Sequence, residues 1–275
     1  MTGGSLTLSN VRVRRSGQTI LEIERLDIPS GAFVGIIGEN GAGKTTLLRI
    51  CAGLIRSTDG TVTLEGHDLT RLGPWSRSAL RKRIGYVPQS AQYNADLPFT
   101  VHEVAAMGRT SVRPLMLPLN KRDHAIVDHW IDVLGLSDRR NQTFRSLSGG
   151  EQQKVLIARA MAQEPRILML DEPCANLDFH WRYQISDIVE RLYHQTRITV
   201  LMVSHDTSVL PPGCGRLILL HDGRILADGR AEDVLTGDIL CRAYRGRLQA
   251  VAMAGRRYIV NVPSECLDRP PRPDG

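Results

Sequence analysis

The chain has 275 residues, 42% hydrophobic and 23% charged, with a formal net charge of +6; this is the balance of a globular protein with ample length for a buried core. No run approaches the roughly 18 apolar residues of a spanning helix, and Met1-Thr2-Gly3-Gly4-Ser5 lacks the basic and apolar regions of a secretory signal, so a cytosolic chain is expected, with any membrane role supplied by a partner. Cys51, Cys174, Cys214, Cys241 and Cys266 are scattered, odd in number and without a C-x-x-C pair, which argues against a disulfide framework and a zinc site.

The basic residues are mostly arginine and spread along the chain, with mild clusters at Arg12-Arg14-Arg15, Arg81-Lys82-Arg83 and Arg242-Arg245-Arg247. Nucleic-acid binders concentrate such charge and interleave it with stacking aromatics, so no nucleic-acid partner is expected; a solvated surface near anionic headgroups fits better.

In chain order, Leu6, Leu8, Val11 and Val13 alternate as a strand, and Ile20, Ile23, Leu26 and Ile28 as a second after the Ser16-Gly17 turn. Ala32–Ile37 predicts a short buried strand, and Thr46–Leu54 a helix. Between them lies Gly38-Glu39-Asn40-Gly41-Ala42-Gly43-Lys44-Thr45-Thr46, a match to the phosphate-loop pattern G-x-x-x-x-G-K-[ST] in the strand–loop–helix context that such a loop requires. Its glycines let successive N–H groups face phosphate oxygens at a helix N-terminus; Lys44 can reach the outer phosphates and Thr45 can ligate Mg²⁺. The motif predicts a nucleoside triphosphate site.

Thr58-Asp59-Gly60 is expected to turn into a strand over Thr61–Leu64, and Ile84–Gln89 reads as another strand ending in an exposed glutamine. Thr100 and Glu103 form a capping-box pattern that opens a helix to about Gly108; Val112–Leu119, with two prolines, is a loop. Asp123–Leu134 is amphipathic, with Ile126, Val127, Trp130, Ile131 and Leu134 as core residues and Gly135 as its stop. Ser148 and Glu151 make a second capping box, in which Gly149 and Gly150 bare the backbone N–H groups as a second anion site. Arg166–Leu170 is a buried strand running into Asp171-Glu172, where open α/β sheets place their chemistry. Asp171 is placed for Mg²⁺ and Glu172 for deprotonating an attacking water. A helix over Trp181–His194 follows, then a strand over Ile198–Val203 ending at His205, then a hairpin turn at His221-Asp222-Gly223. The Pro- and Arg-rich end from Pro263 to Gly275 is expected to be disordered.

Together these segments resemble the nucleotide-binding subunit of ATP-binding-cassette (ABC) transporters over most of residues 5–240, most specifically through Leu147-Ser148-Gly149-Gly150-Glu151-Gln152. The order of phosphate loop, Gln89, signature, Asp171-Glu172, Ala175-Asn176-Leu177-Asp178 and His205 matches the family's set. The resemblance implies an α/β P-loop NTPase (RecA-like) core with an antiparallel β subdomain and a helical subdomain at about 90–165, followed by a C-terminal extension over 241–275. It implies ATP and Mg²⁺, with Thr45, Gln89 and Asp171 managing the metal, Glu172 polarising water and His205 touching the γ-phosphate. Two copies would pair head to tail, Ser148, Gly149 and Gly150 acting in trans and Asp178 coupling the two sites. Arg15 stands where the family often stacks an aromatic on adenine; its guanidinium offers stacking there, or another residue serves. Within the family, Thr100–Arg109 is similar to importers of iron-siderophore, haem or metal chelates. That implies an integral membrane permease, a substrate-binding protein acting through it, and a peripheral position on the cytoplasmic face of the inner membrane. The alternative is a soluble ABC ATPase acting on nucleic acid or the ribosome, or in cofactor assembly; tandem cassettes, a coiled-coil insertion or a zinc hook would favour it, and the sequence has none of them.

Overall fold

The computed structural model describes residues 3–89, 98–114, 117–244 and 246–261. The stretch from Pro263 to Gly275 lies outside them, as do Leu115 and Met116 of the proline loop and Cys266.

Strands β1 (Leu6–Arg15) and β2 (Gln18–Ile28) pair antiparallel, Leu8 opposite Leu26 and Val13 opposite Leu21. The register shifts between Val13 and Arg14, which leaves Ile20 as the extra residue of a bulge; Leu21, not Ile20, therefore takes the core position. Strand β3 (Phe33–Ile37) is wholly buried and feeds helix α1 (Lys44–Cys51), which starts earlier than the expected Thr46. Strand β4 (Asp59–Leu64) already includes Asp59 and Gly60, expected as a turn. A Cβ on Gly60 would lie 2.1 Å from the Asn10 carbonyl oxygen, so glycine serves here for the close passage of β4 over β1.

After β5 (His67–Asp68) comes α2 (Pro74–Arg81), a helix with no apolar stripe in the sequence because it buries only Leu80. Strand β6 (Ile84–Val87) precedes α3 (Val101–Val112). The Thr100–Glu103 capping box is formed in both directions, Glu103 N–H donating to Thr100 Oγ1 at 3.2 Å and Thr100 N–H to Glu103 Oε2 at 2.7 Å. Helix α3 runs past Gly108, whose absent side chain lets it press on α5: a Cβ there would stand 2.0 Å from the Arg159 carbonyl oxygen. Helix α4 (Lys121–Val133) begins before the expected Asp123, because Asn120 and Asp123 form a further capping box. Helix α5 (Gly149–Ala162) opens with the Ser148–Glu151 box, as read from the sequence.

Strand β7 (Ile167–Asp171), helix α6 (Phe179–Thr196, capped by Asp178) and strand β8 (Thr199–Val203) follow. Strands β9 (Arg216–His221) and β10 (Arg224–Gly229) form the expected hairpin, Asp222 and Gly223 both at positive φ as the turn demands. The short α7 (Ala231–Val234) and α8 (Gly237–Ala243) lead to a hairpin unforeseen from the sequence, β11 (Leu248–Met253) and β12 (Arg256–Asn261).

The central sheet has the order β10-β9-β3-β8-β7-β6, parallel except for β10; a separate antiparallel sheet has the order β2-β1-β4-β5. Both faces of the sheet's parallel part are covered, which is why strands such as β3, β7 and β8 read as continuous apolar runs, unlike the edge strand β10. Ile36, Met169 and Val203 point to α1 and the antiparallel sheet, while Ile37, Leu168, Leu170 and Met202 point to the core shared with α3, α5 and α6.

Candidate active site

The chemistry gathers at the C-terminal ends of β3, β6, β7 and β8, the edge where an open α/β sheet presents its site. Gly38, Gly41 and Gly43 all have φ between 87° and 149°, which gives the loop its wrap. Lys44, 5% exposed, folds back along this loop and donates to the carbonyls of Gly38 (2.8 Å) and Glu39 (2.9 Å). Burial lowers the pKa of its ammonium, against the pull of Glu172 and Asp171.

Asp171 is fully buried at the end of β7. One oxygen accepts from Thr45 Oγ1 at 2.8 Å, the other from the Tyr86 hydroxyl at 2.9 Å. Burial first, and Asp171 next, push the Tyr86 phenol up to about 12, so it remains a donor at neutral pH. Tyr86 was not singled out from the sequence; the signal for it is a tyrosine inside a buried strand, whose hydroxyl must find a polar partner.

Glu172 sits at φ 49, a left-handed conformation rare outside glycine. Its Oε2 accepts from Gln89 Nε2 at 2.9 Å and lies 3.3 Å from His205 Nδ1, while Oε1 is 3.8 Å from Lys44 Nζ. Gln89, Glu172 and His205, with Asn40, Asn176 and Ser204, line a cavity of about 310 Å³. The arrangement can hold an anion against Lys44 and the loop, an oxygen-seeking cation at Thr45 and Asp171, and a water against Glu172.

The turn Ser148-Gly149-Gly150 borders this cavity through Leu177, one of its lining residues. A Cβ on Gly149 would lie 3.2 Å from Leu177 Cδ2, and one on Gly150 would overlap the Trp181 ring at 1.9 Å, so the turn packs on the segment after Glu172. Lys154 Nζ stands 5.2 Å from the same ring's centroid. Asp178 caps α6, accepting from the Trp181 N–H at 2.9 Å. Arg15 is exposed at the end of β1 opposite Gln18.

The family model described as ABC transporter matches residues 21–175. The chain belongs to the ABC transporter family. It is 32% identical over 244 residues to the ferric enterobactin transport ATP-binding protein FepC of Escherichia coli (strain K12), covering 88% of each chain. It is 36% identical over 249 residues to the cobalamin import ATP-binding protein BtuD of Halobacterium salinarum (strain ATCC 29341 / DSM 671 / R1), covering 89% of this chain but 60% of the relative's length. Among solved structures, the dimeric post-hydrolysis state of the ATP-binding cassette MJ0796, bound to ADP and Pi, superposes with a TM-score of 0.70 at 28% identity, covering 82% of this chain and 98% of that one. As an ABC cassette the chain has the mixed α/β P-loop NTPase fold expected from its sequence, with the central sheet, the antiparallel sheet and the helices α3 to α5 as its parts.

Proposed function

We propose that this chain hydrolyses ATP to power import through a separate integral membrane permease, the cargo being an iron-siderophore, haem or other metal chelate. The observation that carries the reading is the grip on Glu172: one carboxylate meets Gln89, His205 and Lys44, beside an Asp171 that holds the Thr45 hydroxyl. Phosphoryl transfer asks a protein for positioning and charge neutralisation more than for covalent chemistry, and these groups supply both. The loop N–H groups from Gly38 to Thr46 and Lys44 hold the phosphates. Glu172 orients the attacking water and takes its proton at a carboxylate oxygen, kept in place by the Gln89 amide and His205. His205 also meets the γ-phosphate.

The donor set fits Mg²⁺: the Thr45 hydroxyl, an Asp171 carboxylate oxygen and the Gln89 amide oxygen are hard oxygens, and the first two already lie 2.8 Å apart. When bound, the ion neutralises charge on the phosphates. Arg15 or a neighbour meets the base.

Ser148, Gly149 and Gly150 open a capped helix packed on Leu177 and Trp181, and the similarity to the dimeric cassette MJ0796 supports their use by a second copy paired head to tail, with Asp178 at the junction. A groove of about 340 Å³ between α2, α3 and α5 is lined by Arg81, Lys82 and Arg159 and, among the described residues, by no carboxylate. That charge suits the carbonyl end or acidic side chains of a permease segment, and a substrate-binding protein would act through the same permease. No helix among the described residues is long and apolar enough to cross a membrane, so the chain's seat on the cytoplasmic face of the inner membrane depends on that partner. The similarity to FepC, named for ferric enterobactin transport, supports a metal-chelate cargo.

Glu172→Gln is the direct test. It retains ATP binding, lowers phosphate release by about 10²–10⁴-fold and accumulates an ATP-bound dimer on size exclusion. Hydrolysis at the wild-type rate would remove Glu172 from its role. Purification of the chain in gentle detergent, followed by identification of the membrane protein that travels with it, tests the permease.

A further inference from the structure

The β11–β12 hairpin is an odd possession for a nucleotide site, since it lies far beyond His205 in sequence. One of its polar side chains driven inward is Arg256, 12% exposed, set at the first position of β12 by the two-residue turn Ala254-Gly255, both at positive φ; the Tyr258 hydroxyl, two residues on, also reaches Tyr183. Nη1 donates to Ser186 Oγ at 2.9 Å and to the Ser208 carbonyl at 3.1 Å, Nη2 donates to Asp187 Oδ1 at 2.6 Å, and the guanidinium lies 4.9 Å from the Tyr183 ring centroid. Ser186 is fully buried and Ser208 nearly so.

These partners belong to two segments. Tyr183, Ser186 and Asp187 lie in the first half of α6, the helix that Asp178 caps. Ser208 lies in the short 3₁₀ turn Thr207–Val209 that follows His205. The stretch between His205 and that turn has few holds of its own: Asp206 Oδ1 accepts from the Ser208 N–H at 2.8 Å, Ser204 Oγ donates to the Asp206 carbonyl at 2.8 Å, and Arg182 of α6 pairs with Asp206. Arg182 therefore ties one end of the turn to α6, and Arg256 ties the other, beside a long 3.5 Å bond from the Tyr183 hydroxyl to Ser208 Oγ.

We propose that Arg256 is a positioning residue for hydrolysis, its guanidinium clamping the Thr207–Val209 turn onto α6 and so fixing where His205 stands relative to Glu172. This rests on the reading of His205 as a γ-phosphate contact. An arginine that only docked the hairpin would need partners on one of the two segments; Arg256 bridges both, and one of its targets is a main-chain carbonyl three residues from His205. The planar fork makes the three bonds at once, a geometry that the point charge of lysine reproduces only in part.

The test uses the full chain with Arg256→Gln, Arg256→Lys and, as a control on the hairpin's apolar packing, Ile259→Ala. Arg256→Gln is expected to lower kcat for ATP hydrolysis about tenfold with KM for ATP near wild type and a lower melting midpoint; Arg256→Lys recovers part of the loss, and Ile259→Ala lowers the melting midpoint with kcat near wild type. Hydrogen exchange without nucleotide should quicken at the amides of 206–209 in Arg256→Gln. A wild-type kcat in Arg256→Gln overturns the proposal. So does an equal loss of kcat in Ile259→Ala, which would make hairpin docking the whole effect. Unchanged exchange at 206–209 overturns the clamp whether or not the wild type turns over, whereas a wild type that hydrolyses no ATP, with exchange quickened in the variant, refutes the ATPase reading instead.

Discussion

Glu172 has one of the least comfortable backbones in the cleft, since a non-glycine residue at φ 49 costs on the order of 1–3 kcal/mol. The surrounding bonds hold it there: its N–H donates to the Val203 carbonyl at 3.1 Å while its carboxylate meets Gln89 and His205. A different constraint acts at Gly150, where the Trp181 ring occupies the space a methyl group would need. Gly150→Ala should cost about 1–3 kcal/mol through overpacking and lower phosphate release, and adding Trp181→Ala should recover part of both losses. Denaturant midpoints and phosphate release for the two variants check this; no recovery in the double variant would show that the ring is not the obstacle. The contiguous motifs, with Lys44, Thr45, Asp171 and Glu172 among them, are legible in the sequence because their chemistry uses neighbours along the chain. Tyr86 is not, since nothing in its local pattern says that its hydroxyl ends on Asp171, 85 positions away.

At the scale of elements, the helical region is joined by one buried arginine. Arg109 of α3 donates to Asp123 of α4 at 3.0 and 3.1 Å, and to the Ala162 carbonyl and Glu164 at the end of α5 at 3.1 and 2.8 Å. Asp123, 2% exposed and also a member of the α4 capping box, has its pKa lowered first by the Asn120 N–H and then by Arg109 against burial. Arg109→Ala leaves that carboxylate without its main partner and should cost about 3–5 kcal/mol, measured by chemical denaturation; a loss under 1 kcal/mol would mean that Arg113, 3.4 Å away, suffices. The parallel strands of the central sheet and the helices α3 and α5 can be read from the sequence because burial on both faces and paired Thr/Ser–Glu cap residues leave strong local marks. Helix α2 and the β11–β12 hairpin leave none: one buries a single leucine, and the other is half-exposed along both strands, with Arg256 reaching partners 48 to 70 positions away.

For the whole molecule, the proposed use of the Ser148 turn by a second copy is testable by mixing. A site built from the loop of one copy and the Ser148 turn of another can be rebuilt from two dead chains. Lys44→Ala mixed with Ser148→Arg leaves one intact site per mixed dimer and should restore part of the ATPase activity. Lys44→Ala mixed with Glu172→Gln leaves none, because both defects fall on the same half, and should stay inactive. Equal behaviour of the two mixtures in phosphate release would contradict a shared site.

The first glycine of the loop has a consequence for anyone reading alleles. A Cβ on Gly38 would stand 2.3 Å from the Leu220 carbonyl oxygen at the end of β9, whereas one on Gly41 meets nothing within 4 Å. In a growth screen, alanine alleles at the two positions look alike. Both alleles strain the loop backbone, at φ 149 and φ 87, but the Gly38 allele should add a folding lesion, open in part to suppression by low temperature, chaperone supply or gene dosage, whereas a larger supply of protein should not cure the Gly41 allele.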